Sequence, residues 1–262
     1  MLDSWALVTG ASGGLGEELA RQLGARGMKL ILTARSADKL AAIAASIKAE
    51  SGVEVRTYPS DLSQAGAVDA LDRRLGENSI DVDVLVNNAG FGLHGMFVDQ
   101  GLDRLRAMIQ LDVVALTELT HIHARRMMAR GRGRILLVGS MAAYQPVVLY
   151  SAYAAAKAYV LAFGEALHVE LAPTVTVTVL SPGLMDTGFN DAAGYTTPAS
   201  LKRMEMLPAD VARIGLDALF TGKSGVIAGR LNKIMALASR VMSRHFSARS
   251  QLDMAKRQAA RG

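Results

Sequence analysis

The sequence predicts a doubly wound α/β fold, with a parallel sheet of about seven strands and helices on both faces. Short runs of apolar β-forming residues alternate with longer helical stretches, and a βαβαβ rhythm occurs twice. Runs such as Leu30-Ile31-Leu32 and Val84-Leu85-Val86 are apolar at consecutive positions, as expected when helices cover both faces of a strand. Right-handed crossovers then wind both halves into one sheet. With 262 residues, half of them hydrophobic and 20% charged, the chain suits one large α/β domain and not a disordered or collagen-like polymer.

The elements follow in order. A strand over 5–9 runs into a helix over 14–26, then a strand over 29–33, a helix over 37–50, a strand over 53–58, a helix over 64–75 and a strand over 82–86. The second half repeats this with a long helix over 102–130, a strand over 134–138, a helix over 151–170 and a strand over 175–180. After Pro182 a stretch containing Gly, Asp and Thr, to about Pro198, reads as a lid. A helix over 209–219 and a strand over 225–228 close the domain at residue 229. The longest uncharged stretch, 135–156, is interrupted by Gly139, Ser140, Gln145 and Pro146, so it reads as strand, loop and helix start and not as a membrane span. The start, Met1-Leu2-Asp3-Ser4-Trp5, lacks a basic region followed by an apolar run, and a cytoplasmic protein is expected. No cysteine occurs, which excludes a disulfide framework, thiolate zinc ligation and a cysteine nucleophile.

Charge is unevenly placed. The net +5 divides into −2 for residues 1–229 and +7 for residues 230–262. Aromatics are only 5%, so a nucleic-acid surface of interleaved cations and rings is not expected. Within 230–262, Leu231, Ile234, Met235, Ala238, Val241 and Met242 follow helical spacing while Lys233, Arg240 and Arg244 share the other side. Such a basic amphipathic extension can dock on the body, bind a partner subunit or make peripheral contact with an anionic membrane.

Three constellations carry chemistry. The first strand ends in Thr9-Gly10-Ala11-Ser12-Gly13-Gly14-Leu15-Gly16 and enters a helix, where glycines admit a pyrophosphate to the backbone and the helix N-terminus offers free amides. At the end of the second strand, where an acidic residue would accept the ribose hydroxyls of NAD, stands Arg35. A cation there favours the extra phosphate of NADP. Finally, Ser140 is followed by Tyr153 and Lys157, four apart and hence on one helix face. Tyr153 can protonate a carbonyl oxygen if its pKa falls toward neutrality, and Lys157 is placed to lower it. Ser140 can donate to the same oxygen.

Taken together, Thr9–Gly16, Asp61-Leu62, Asn87-Asn88-Ala89-Gly90, Ser140, Tyr153 with Lys157, and Pro182-Gly183 followed by Thr187 resemble the short-chain dehydrogenase/reductase family in order and spacing, from Trp5 to about Gly229. The resemblance implies a Rossmann-type fold, NADP(H) as cofactor, a small-molecule carbonyl or secondary alcohol as substrate, and a homodimer or homotetramer packed through the long helices over 102–130 and 151–170. It also implies that Ser12 and Arg35 hold the 2′-phosphate, Asp61 and Leu62 the adenine, Asn88 and Ala89 the adenosine side, and Thr187 the nicotinamide carboxamide. Cellular NADPH would favour reduction, and Phe189, Tyr195, Met204, Met206 and Leu207 hint at an apolar ketone or oxoacyl substrate.

One position departs from the family. Asp112 stands where the usual residue is Asn, whose main-chain carbonyl there holds a water that links the active-site lysine to solvent. A buried carboxylate is disfavoured, so a protonated Asp112 is the expectation. This departure is the argument for an alternative, a dinucleotide-binding regulatory or scaffold protein with weak catalysis. His94, after the Asn-Asn-Ala-Gly loop, is read as a surface-loop residue, with a place at the border of the substrate pocket as the alternative, and His121 and His123, two apart on a helix, cannot face one ligand. No metal-ligand spacing stands out.

Overall fold

A computed structural model describes residues 4–185, 187–189, 193–195, 197 and 202–259, with side chains as far as Asp253. Among these residues β1 (Trp5–Thr9), β2 (Lys29–Thr33), β3 (Val55–Thr57), β4 (Val82–Asn87), β5 (Gly133–Val138), β6 (Val175–Ser181) and β7 (Gly225–Ile227) form one sheet in the order β3-β2-β1-β4-β5-β6-β7. Every neighbouring pair is parallel. The order reverses between β1 and β4, and at such a switch point the carboxyl ends of the strands open a crevice for a ligand.

Helices α1 (Gly14–Ala25), α2 (Ala37–Ser51) and α7 (Pro208–Phe220) cover one face, where Val8, Leu19, Leu32 and Leu216 pack in one core. On the other face α3 (Ala67–Glu77), α5 (Leu116–Arg130) and α6 (Ser151–Glu170) enclose Leu7, Leu71, Leu119 and Val160. Burial on both sides explains the uninterrupted apolar strands.

The predicted helix over 102–130 is α4 (Leu102–Ile109) and α5 joined by a π-helical turn, Gln110–Ala115. A π turn inserts a residue into the helical repeat, a local change that 3.6-residue periodicity does not register, and Asp112 within it is fully buried. The C-terminal extension is likewise two helices, α8 (Arg230–Val241) and α9 (Arg244–Ala259), with an extended backbone at Met242 between them.

Candidate active site

The site begins at the glycine turn. Gly10 has φ +66°, and a Cβ there would press on the backbone of Ala89; a Cβ on Gly16 would strike the Gly10 carbonyl. Both must be glycine for β1, the turn and the 88–90 loop to close. Above Gly13, by contrast, a Cβ would meet nothing within 4 Å, and no side chain caps α1. Among the described residues no side chain takes up the first-turn amides, which leaves them as donors for an anionic pyrophosphate. Leu15 is buried below them, and Thr187 lies against Gly14. Gly16→Ala is expected to lower stability by about 1–3 kcal/mol and to weaken dinucleotide binding, read by thermal unfolding and by NADPH fluorescence titration.

Thr9 organises the next layer, and sequence reasoning did not single it out. Its hydroxyl donates to the Val86 carbonyl at 3.3 Å and accepts from the amides of Asn88 and Ala89 at 3.0 and 2.9 Å. Asn88 Nδ2 in turn donates to the Thr9 and Gly10 carbonyls. The side chain of Asn88 thus clamps the glycine turn. Asn87, also missed as an individual, ties β4 to α5 through the Thr120 hydroxyl at 2.9 Å. A hydroxyl at a strand end is too common in sequences to be a signal; only the converging partners mark it.

The Ala11 amide donates to the Thr33 carbonyl, bringing the Ser12 turn beside the end of β2, where Arg35 is exposed. Burial works to raise the Asp61 carboxyl, yet hydrogen bonds from the Ser63 hydroxyl and amide at 2.7 and 3.1 Å, with the nearby Arg35 charge, hold it below its ordinary value. Leu62 spends its side chain in the core and leaves its backbone for a ligand.

β5 delivers Ser140, whose Oγ accepts from the Ala142 amide at 3.1 Å and caps the 3-10 turn Met141–Tyr144. Pro182 anchors the same turn, its carbonyl accepting from Met141 at 2.9 Å. Gly183 is packed by Asn232 of α8 so closely that a Cβ there would clash. On α6, Tyr153 and Lys157 are 9% and 4% exposed. The Lys157 ammonium donates to the Val138 carbonyl at 3.2 Å and lies 3.2 Å from Asp112 Oδ2. The Phe91 amide donates to Asp112 Oδ1 at 3.1 Å, and both carboxylate oxygens press on Gly90, where a Cβ would not fit.

These contacts set the charge balance of the site. Burial pushes the Asp112 carboxyl up, while Lys157 at 3.2 Å from Oδ2 and the Phe91 amide on Oδ1 pull it down, and the net direction is upward, as expected for a buried acid. Burial lowers Lys157 while Asp112 and Tyr153 raise it further, so it stays an ammonium with a raised pKa. The Tyr153 phenol does not fall toward neutrality in the protein alone. Burial raises it; the Lys157 charge and the Ser140 hydrogen bond lower it, and Asp112 raises it again, leaving it above its usual value. The Asp112 charge offsets that of Lys157.

Around Tyr153 the cleft is apolar and aromatic. Leu93, Leu105 and Met108 are buried with it, and the rings of Tyr150 and Phe189 lie 5.9 and 5.6 Å away. Of the two readings of His94, the structure favours the pocket border: its ring is half-buried, 5.0 Å from both Tyr150 and Tyr195, with its pKa lowered by burial. His123 is buried in the body and pushed down to about 4, chiefly by burial. No cluster of metal-ligating side chains occurs among the described residues.

Fold and site together define a protein of the doubly wound, dinucleotide-binding class. A family model described as short chain dehydrogenase matches residues 4–197, and the chain belongs to that family. Among curated relatives, the very-long-chain 3-oxoacyl-CoA reductase of Anas platyrhynchos is 36% identical over 174 residues, 64% of this chain and 55% of its own. The chain therefore spans about half the length of that relative. Ketoacyl reductase HetN of Nostoc sp. is 32% identical over 205 residues, 74% of this chain and 71% of its own. A solved short-chain dehydrogenase from Sphingobium yanoikuyae in complex with NADPH superposes with a TM-score of 0.81 at 30% identity, covering 90% of this chain and 93% of the other.

Proposed function

We propose that this protein is an NADP(H)-dependent reductase of apolar ketones or 3-oxoacyl compounds. The observation that carries the reading is the convergence of Ser140, Tyr153 and Lys157 at the carboxyl end of β5, beneath an aromatic cleft and on the sheet edge that bears the uncapped α1. The α1 amides and Gly10–Gly16 turn would hold the pyrophosphate, Ser12 and Arg35 the 2′-phosphate, and Thr187 the nicotinamide end. When bound, the cofactor supplies or accepts the hydride. Ser140 orients the substrate oxygen by donating its hydroxyl proton, and Tyr153 delivers the phenolic proton to that oxygen. Lys157 stabilises the phenolate left behind, and the rings of Tyr150 and Phe189 exclude water. The phenol is protonated at neutral pH, the form reduction needs, and the positive charge of the oxidised nicotinamide would add to that of Lys157 in favouring release of its proton. Relatives named as oxoacyl and ketoacyl reductases support the substrate class.

A panel of ketones and 3-oxoacyl thioesters followed by NADPH absorbance tests the proposal, with Tyr153→Phe as blank. NADPH binding without oxidation of any member would instead favour a regulatory protein. Arg35→Asp is expected to turn the ratio of kcat/KM for NADPH over NADH downward by about one to two orders of magnitude, because a charge-assisted hydrogen bond is replaced by repulsion. An unchanged ratio would remove Arg35 from the assignment. Assembly through α5 and α6 is part of the same proposal: Tyr159 stacks on Phe163 at 5.4 Å and bonds the Thr117 hydroxyl at 2.8 Å, while Met128 and Val169 are exposed.

A further inference from the structure

The helix α8 is oriented opposite to a helix docked by its apolar stripe. It is fastened to the body through Asn232 and Ala236, four apart on one side; Ala236 is buried, and Asn232 Nδ2 donates to the Ala228 carbonyl at 2.6 Å and packs on Gly183. The opposite side presents Leu231, Ile234, Leu237 and Val241, from 51% to 89% exposed, and Phe246 at the start of α9 is also exposed. The orientation is held at both ends. α9 is tied to the 145–148 segment by Ser247 to Gln145 and by a reciprocal pair between Gln251 and Pro146 and Val148, each at 3.0 Å. Lys233 and Arg240, both exposed, border the apolar side along one edge, Arg230 and Arg244 stand at the starts of α8 and α9, and residues 230–262 hold a single acidic side chain, Asp253.

We infer that this outward face docks on an anionic lipid surface. Apolar side chains bordered by cations match the layered chemistry of such a surface, in which acyl chains take the former and headgroups the latter. The body, at −2, contributes no attraction, so the charge complementarity resides in α8 and α9 alone. A second copy is a poorer occupant: a two-fold contact through this face sets Lys233 and Arg240 against their own duplicates with no acid on α8 to pair them. No helix among the described residues is long and apolar enough to cross a membrane, so α8 lies on the surface without spanning. This inference stands independently of the proposed reaction.

The test is flotation of the full chain with vesicles of phosphatidylcholine alone or mixed with phosphatidylglycerol, at low and high salt. The chain is expected to float with the mixed vesicles and to be released in part by salt. Lys233→Gln with Arg240→Gln is expected to weaken partition about twentyfold, and Ile234→Glu with Val241→Glu to abolish it. All four positions are exposed, and unchanged circular dichroism and thermal unfolding would show that the fold survives. Failure of the unmodified chain to float with mixed vesicles would overturn the inference, as would equal flotation of the Glu pair. So would light scattering showing a dimer that the Glu pair converts to monomer.

Discussion

Tyr153→Phe is expected to lower kcat for carbonyl reduction by about 100- to 10,000-fold while leaving the NADPH dissociation constant within a factor of about two. The change deletes one oxygen from a side chain that is 9% exposed and keeps the ring that contacts Tyr150 and Phe189, so packing is preserved. What is lost is the proton source at the substrate oxygen. Ser140 cannot replace it, since its Oγ is oriented by the Ala142 amide and a serine hydroxyl gives up its proton far less readily than a phenol. Titration of NADPH into both proteins, followed by single-turnover oxidation, separates binding from chemistry. Retention of wild-type turnover would refute the assigned role.

The second large effect concerns Asp112. Asp112→Leu strips the Lys157 ammonium of its counterion in a site where Asp112 is fully buried and Lys157 nearly so, and a loss of about 3–5 kcal/mol is expected in chemical denaturation. Asp112→Asn keeps the shape and an acceptor for the Phe91 amide but removes the charge. Because Asp112 raises both Tyr153 and Lys157, both pKa values fall in this variant. The pH–rate profile is expected to move to lower pH: alcohol oxidation, which needs the phenolate, begins earlier, and reduction, which needs the phenol, declines earlier. An Asn variant with the wild-type profile, together with a Leu variant within about 1 kcal/mol of wild-type stability, would make the position an ordinary core site.

The pair also sets the response of stability to pH. Lys157 has a folded pKa above its unfolded 10.5, so its contribution is whole below 10.5 and is lost as pH rises through the folded value. Asp112 is raised as well, so the folded state holds its proton more tightly than the unfolded chain does. This group therefore favours the fold more as pH drops through the carboxylate range. Alkaline unfolding is the readout, and it should be steeper in the unmodified protein than in Asp112→Leu.

Much of the architecture was legible because strands buried on both faces must be apolar without interruption, and six of the seven predicted strands lie within one residue of the observed ends. β3 is shorter than expected, Val55–Thr57, because only Leu30 to Leu32 of β2 pair with it at the sheet edge. The glycine turn and the Ser140, Tyr153 and Lys157 set were readable for a different reason: their spacing follows from strand–turn–helix geometry and from one helical turn. The π turn was not readable, since nothing in Gln110–Ala115 distinguishes it from an α-helix continuing into Leu116. For His94 the sequence left two placements open, because its partners Tyr150 and Tyr195 are more than fifty residues away.

The sequence by itself determined the sheet, the glycine turn and the grouping of Ser140, Tyr153 and Lys157, because each depends on local periodicity or short fixed spacing. Only the tertiary structure decided the electrostatics of the site and the facing of the C-terminal helices. The Asp112 carboxylate reaches Lys157 across 45 residues, and its effect on Tyr153 arises from burial they share. Helical spacing likewise identified an apolar stripe on α8, but which side meets the body was settled by Asn232 against Gly183 and Ala228 and by the close fit of Ala236.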